Sequence, residues 1–132
     1  MNVLVIDGMG GGIGKVIIEQ IKNAFGGAVI TAVGTNSIAT AAMLKAGAHN
    51  AATGENAVIY NAAKSEYIIG VIGIIAADAM HGEVSPKMAA AVSSSPAHKI
   101  LIPIDKCNIT VTGVNPAPIQ VYISEIIKTL SS

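Results

Sequence analysis

Short runs of branched aliphatic residues alternate with segments of helical apolar spacing along nearly the whole chain. That alternation constrains the fold most. A continuous aliphatic run of strand length is buried on both faces, and the helix after it is the crossover that returns the chain for a parallel neighbour. Residues 2–6 form the first such run, ended by Asp7-Gly8. Ile13, Ile17, Ile21 and Phe25 follow at helical spacing until Gly26-Gly27 stops them. Residues 28–33 are a second strand, closed by Gly34. Residues 37–46 read as a helix capped by Asn36, with Gly47 just past its end. Residues 48–53 are a minimal third strand, and 55–65 a helix, although the run at 57–60 also fits a strand. Residues 67–75 are a buried fourth strand, Ser85-Pro86 opens a helix to Val92, and residues 99–104 are a fifth strand that Pro103 brings to an end.

Ile109-Thr110-Val111-Thr112 alternates with period two, as a half-exposed edge strand does. The short connection, Asp105 to Asn108, allows a hairpin and no crossover, so this sixth strand is expected antiparallel beside the fifth. A last helix starts at residues 115–118 and buries Ile119, Ile123, Ile126, Ile127 and Leu130. Right-handed crossovers then predict one α/β domain with a doubly wound, mostly parallel sheet in the order 3-2-1-4-5, plus the antiparallel strand.

Composition removes several function classes. The longest apolar run, residues 67–77, is about half of the roughly 20 residues that a bilayer span needs. Asp7 and the glycines interrupt the first apolar stretch too early for a signal peptide, and Cys107 is the single cysteine, so a cytoplasmic protein without a disulfide framework is expected. All eight basic residues are scattered lysines, balanced by eight acids. Without arginine, a basic stripe or more than four aromatics, nucleic-acid binding has no footing.

In a parallel sheet the strand carboxyl ends share one edge, where open α/β folds bind ligands. Here that edge collects Gly34, Thr35 and Asn36 after strand 2, Thr53, Glu55 and Asn56 after strand 3, and Gly70 and Gly73 in strand 4. Most densely, it holds Gly8, Gly10, Gly11, Gly12, Ile13, Gly14 and Lys15 after strand 1. Ordinary turns need Gly, Asn and Thr for caps, which accounts for most of these positions but poorly for five glycines in seven residues. Glycine lets backbone amides approach a ligand, and the helix behind adds unpaired N–H groups and a dipole end worth about 0.3–2 kcal/mol to an anion. A phosphate-bearing small molecule is therefore expected there.

The spacing Gly8-x-x-x-Gly12-x-Gly14 resembles the glycine motif of short-chain dehydrogenases, in the required place between a strand and a helix. A P-loop is the weaker reading: Val16 follows Lys15 where a Mg²⁺-holding Ser or Thr is needed, and Met9 replaces the first glycine. The usual NAD-type acid after strand 2 is missing, and Thr35-Asn36-Ser37 stand in its place. NAD and NADP both stay open, with a mononucleotide third. Tyr60-x-x-x-Lys64 matches the catalytic spacing of short-chain dehydrogenases but lies far too early in the chain, and reads as coincidence. Asp78, His81 and Glu83 read as solvated turn residues, with no metal site assigned. The placement of Cys107 permits a reactive thiol.

As a whole the sequence resembles a small bacterial family of unknown function found mainly in anaerobic Firmicutes. The resemblance rests on the segments 7–15, 34–36, 46–48, 53–57, 73–75 and 100–103. It implies a cytoplasmic protein with a Rossmann-like fold and transfers no catalytic residue. The expected function is nucleotide binding, of the dinucleotide NAD(P) type, in a redox-cofactor sensor or an accessory oxidoreductase subunit. A small enzyme acting on a phosphorylated metabolite, with Glu55, Asp78, His81 or Cys107 as acid–base or nucleophilic groups, is the competing reading, and a structural subunit with a vestigial phosphate loop is a third. Small-residue helix faces and a 52% apolar composition predict a homodimer, formed through a helix face or the edge strand.

Overall fold

The computed structural model describes residues 1–104 and 108–132, so the expectations for Asp105, Lys106 and Cys107 lie outside it. Five strands, β1 (Asn2–Asp7), β2 (Val29–Gly34), β3 (Asn50–Thr53), β4 (Tyr67–Val71) and β5 (His98–Ile102), form one sheet in the order β3-β2-β1-β4-β5. Every neighbouring pair is parallel, and the β1/β2 register runs from Asn2 opposite Val29 to Asp7 opposite Gly34. The helices are α1 (Gly12–Ala24), α2 (Ser37–Lys45), α3 (Glu55–Ala62), α4 (Pro86–Ser93) and α5 (Ile119–Leu130).

The central strand explains the layers. Successive side chains of β1 point to opposite faces. Val3 and Val5 join Ile17, Ile18 and Ile21 of α1, Met43 of α2 and Ile123 and Ile126 of α5. Leu4 and Ile6 join Val58 of α3 and Met88 and Val92 of α4. The sheet is thus covered on both sides, which is why its strands can be aliphatic throughout. Each fully buried Leu or Ile contributes roughly 1.5–3 kcal/mol. Local signals set the ends of the helices. The Asn36 side chain accepts from Ala39 N at 2.9 Å, and Ser85 Oγ accepts from Met88 N at 3.2 Å just ahead of Pro86.

Two expectations are corrected. The fourth strand stops at Val71, and Ile72–Ile75 wind into a 3-10 turn. The ladder gives out there: β5 ends at Ile102, and β1 pairs with β4 only over Val3 to Val5. Freed from its neighbours, the chain turns and buries Ile74 under α4. The sixth, antiparallel strand does not form among the described residues. Residues 109–112 keep their alternating half-burial but lie between Asn108 and Gly113, both at positive φ, and a Val114 N–H to Val111 O bond of 3.3 Å closes a turn. Left-handed residues bound the segment on both sides, and Pro116 and Pro118 follow directly.

Candidate functional site

The strand order reverses between β1 and β4, the place where open parallel sheets leave a crevice. A cavity of about 670 Å³ opens there, lined by Asp7, Gly8, Met9, Gly10, Gly11, Gly12 and Ile13 after β1 and by Val71, Met80 and His81 after β4. Gly11 N donates to Gly8 O at 3.0 Å to close the turn, and Met9 and Gly11 are held at positive φ.

The glycines divide into two kinds. A Cβ on Gly11 would stand 2.8 Å from the backbone oxygen of Ala39, and one on Gly14 would stand 2.6 Å from Met43 Sδ and 2.9 Å from Asp7 Cβ. These two serve the close approach of α1 to α2 and β1. Around Gly10 and Gly12 a Cβ would meet nothing within 4 Å, and neither residue is at positive φ. Neither packing nor backbone conformation demands glycine at these two positions, both of which line the cavity.

Asp7 is only 6% exposed, and its carboxylate accepts from Gly8 N at 2.8 Å and Gly14 N at 2.7 Å. It thereby ties the strand end to the third residue of α1. The N–H groups of Gly12 and Ile13 find no partner among the described residues and stand at the helix end beside the cavity. They are the amides an anion would use.

The far wall is a strap between the 3-10 turn and α4. Asp78, Met80, His81 and Gly82 all adopt positive φ. For the three non-glycine residues that conformation costs on the order of 1 kcal/mol or more each. The strap is tied by Asp78 N to Val84 O at 2.7 Å and Val84 N to Ala79 O at 3.1 Å, and it is anchored by the burial of Ala79 and Val84. It brings Glu83 across to the end of β2. There Glu83 Oε1 accepts from Thr35 Oγ1 at 2.5 Å and from Asn36 Nδ2 at 3.0 Å, while Asn36 Nδ2 also donates to Met9 O at 3.0 Å. The Thr35 hydroxyl first, then the Asn36 amide, hold the Glu83 carboxyl below its usual range.

The cavity gathers Gly8, Gly10, Gly11, Gly12 and Ile13, with Gly14 buried behind them. Thr35 and Asn36 join through Glu83, and Gly34 is buried against Thr40. The remaining sequence candidates are elsewhere. Lys15 is exposed on α1, off the cavity wall. Thr53 bonds Thr40 through their hydroxyls at 2.7 Å, Glu55 Oε2 accepts from Ser85 Oγ at 2.5 Å, and Asn56 is exposed on α3. Gly70 is buried within β4 opposite Leu101, and Gly73 is buried in the 3-10 turn. Tyr60 and Lys64 line a separate groove of about 420 Å³ with Asn2 and Asn50, at the opposite edge of the sheet. The Lys64 ammonium, 3.9 Å from the Tyr60 ring centroid, lowers the phenol pKa by hydrogen bonding first and by its charge second. Among the described residues, no three His, Cys, Asp or Glu side chains converge as metal ligands.

Sequence reasoning missed Val71 and Met80 as wall residues and Glu83 as the partner of Thr35 and Asn36. The available signal was indirect: an acid missing after β2, and an acid present in an otherwise unexplained strap. Residues 2–132, from β1 to the end of α5, match a single family. The chain belongs to the family described as Domain of unknown function (DUF3842). No curated protein and no solved structure matches it. The DUF3842 match takes in the cavity, the strap and both cores together. No helix among the described residues is long and apolar enough to cross a membrane.

Proposed function

We propose that this protein binds a nucleotide over the glycine turn, a dinucleotide of the NAD(P) type, and works as a redox-cofactor sensor or an accessory oxidoreductase subunit. The observation that supports it is the pair Gly10 and Gly12, bare without a structural need, on a cavity of about 670 Å³ at the strand-order reversal. Unpartnered amides at Gly12 and Ile13 supply the phosphate contact. The cavity volume lies in the range that holds a small ligand. A vestigial loop would be expected to fill with its own side chains, whereas Gly10 and Gly12 face open space.

Calorimetric titration with NAD, NADP, FMN, ATP and AMP tests the reading. Binding of one or more below millimolar concentration is expected, and no binding of any at that concentration overturns it. His81 favours a second reading, an enzyme acting on a phosphorylated metabolite, because it puts a titratable ring on the cavity wall. Glu55, bonded to Ser85 away from the wall, is not placed for that chemistry.

A further inference from the structure

We infer that Glu83 is the ribose-reading group of the site, and that it selects a nucleotide with free 2′- and 3′-hydroxyls over one bearing a 2′-phosphate. This rests on the nucleotide reading above and narrows it from NAD(P) to NAD or an unmodified adenine nucleotide.

A ligand whose phosphates sit on the turn after β1 puts its ribose at the end of the neighbouring strand, β2. Two vicinal hydroxyls are best held there by a carboxylate, which accepts from both. The chain around the end of β2, Gly34-Thr35-Asn36-Ser37, contains no acid. The strap after β4 delivers one. Glu83 Oε1 is fixed by Thr35 Oγ1 and Asn36 Nδ2, and it lies 3.4 Å from where a Cβ of Gly8 would stand, beside the glycine turn. The Met9 backbone N–H is a third donor to this carboxylate, and the bonds from Thr35 and Asn36 both fall on Oε1. The carboxylate is therefore both oriented and left with acceptor capacity. Its backbone is set by Glu83 N bonding Met80 O at 3.1 Å and by the burial of its neighbour Val84. The same charge opposes a phosphate on the 2′-oxygen, and the chain has no arginine to offset it.

Affinities of the intact protein for NAD, NADP, ADP and 2′-deoxy-ADP, with the variant Glu83→Gln alongside, test this. NAD is expected to bind at least about tenfold tighter than NADP, and ADP about tenfold tighter than its 2′-deoxy form. Glu83→Gln should weaken NAD about tenfold and bring NADP within about threefold of it. Circular dichroism of the variant checks folding, and the ADP pair needs no variant. If NAD and NADP bind equally and ADP and 2′-deoxy-ADP bind equally, the role of Glu83 is refuted while nucleotide binding stands. If none of the four binds at millimolar concentration, both readings fall.

Discussion

Replacing Gly12 and Gly11 separately by alanine should move stability in opposite directions, although the two residues are adjacent. At Gly12 a Cβ meets nothing within 4 Å and the residue is not at positive φ. Alanine fits there without strain and restricts the unfolded chain, so Gly12→Ala should stabilise by about 0.4–1 kcal/mol. For a domain of this size that raises Tm by roughly 2–5 °C. At Gly11 the φ of 76° is left-handed, and the new Cβ would stand 2.8 Å from the Ala39 oxygen. Left-handed backbone alone costs a non-glycine residue roughly 1–2 kcal/mol, and the contact forces α2 to shift as well. Gly11→Ala should therefore destabilise by about 2 kcal/mol or more, and urea unfolding measures both variants. Calorimetry supplies the second half of the test. Gly12→Ala, the more stable protein, should lose at least about tenfold in nucleotide affinity, because the methyl group stands where backbone must approach phosphate. A Gly12→Ala protein that is destabilised like Gly11→Ala, or that binds nucleotide unchanged, refutes the division of the glycines.

Leu4 is fully buried at the sheet centre, so Leu4→Ala should cost about 2–5 kcal/mol, read from the urea midpoint. Ile38 and Leu44 are 70% and 52% exposed and lie on the outer side of α2 with Ala41 between them. We propose this stripe as the homodimer interface. Sedimentation at micromolar concentration should give about twice the 13.3 kDa chain mass, and Leu44→Asp should return it to one chain; a monomer before mutation rejects the idea. Hydrogen bonds from Thr35 and Asn36 hold the Glu83 carboxyl below the usual carboxylate range, so that tie is fully present above the range and is lost as pH falls through the lower folded value. Amide exchange across residues 78–84, corrected for intrinsic rates, should accelerate as pH falls from neutral to below the usual carboxylate range; unchanged protection would count against the tie.

The sheet order was legible because five aliphatic runs and their intervening helices leave few right-handed arrangements. What failed were the ends of pairing. Ile72 to Ile75 are as aliphatic as a strand, but a strand needs neighbours, and the lengths of β1 and β5 are not written into residues 72–75. Residues 109–112 carry the right alternation, but Asn108 and Gly113, both of types that readily take left-handed backbone, turn the chain on either side of them. In the site, the glycine turn could be read locally because it is one continuous segment. Glu83 could not, because it meets Thr35 and Asn36 across 48 and 47 positions of chain. Sequence spacing also could not tell Gly11 from Gly12; that difference comes from the proximity of Ala39 on a separate helix.

The left-handed residues of the strap carry an evolutionary consequence. Glycine at positions 80 and 81 would adopt the same backbone at lower cost, so the chain gives up stability to keep a thioether and an imidazole on the cavity wall. Random drift under selection for folding alone favours losing those side chains. A lineage in which the cavity falls out of use should therefore show it first as glycine at 80 or 81, before the turn or the cores change. Comparing those two positions across the family would separate members that still use the cavity from members that have abandoned it.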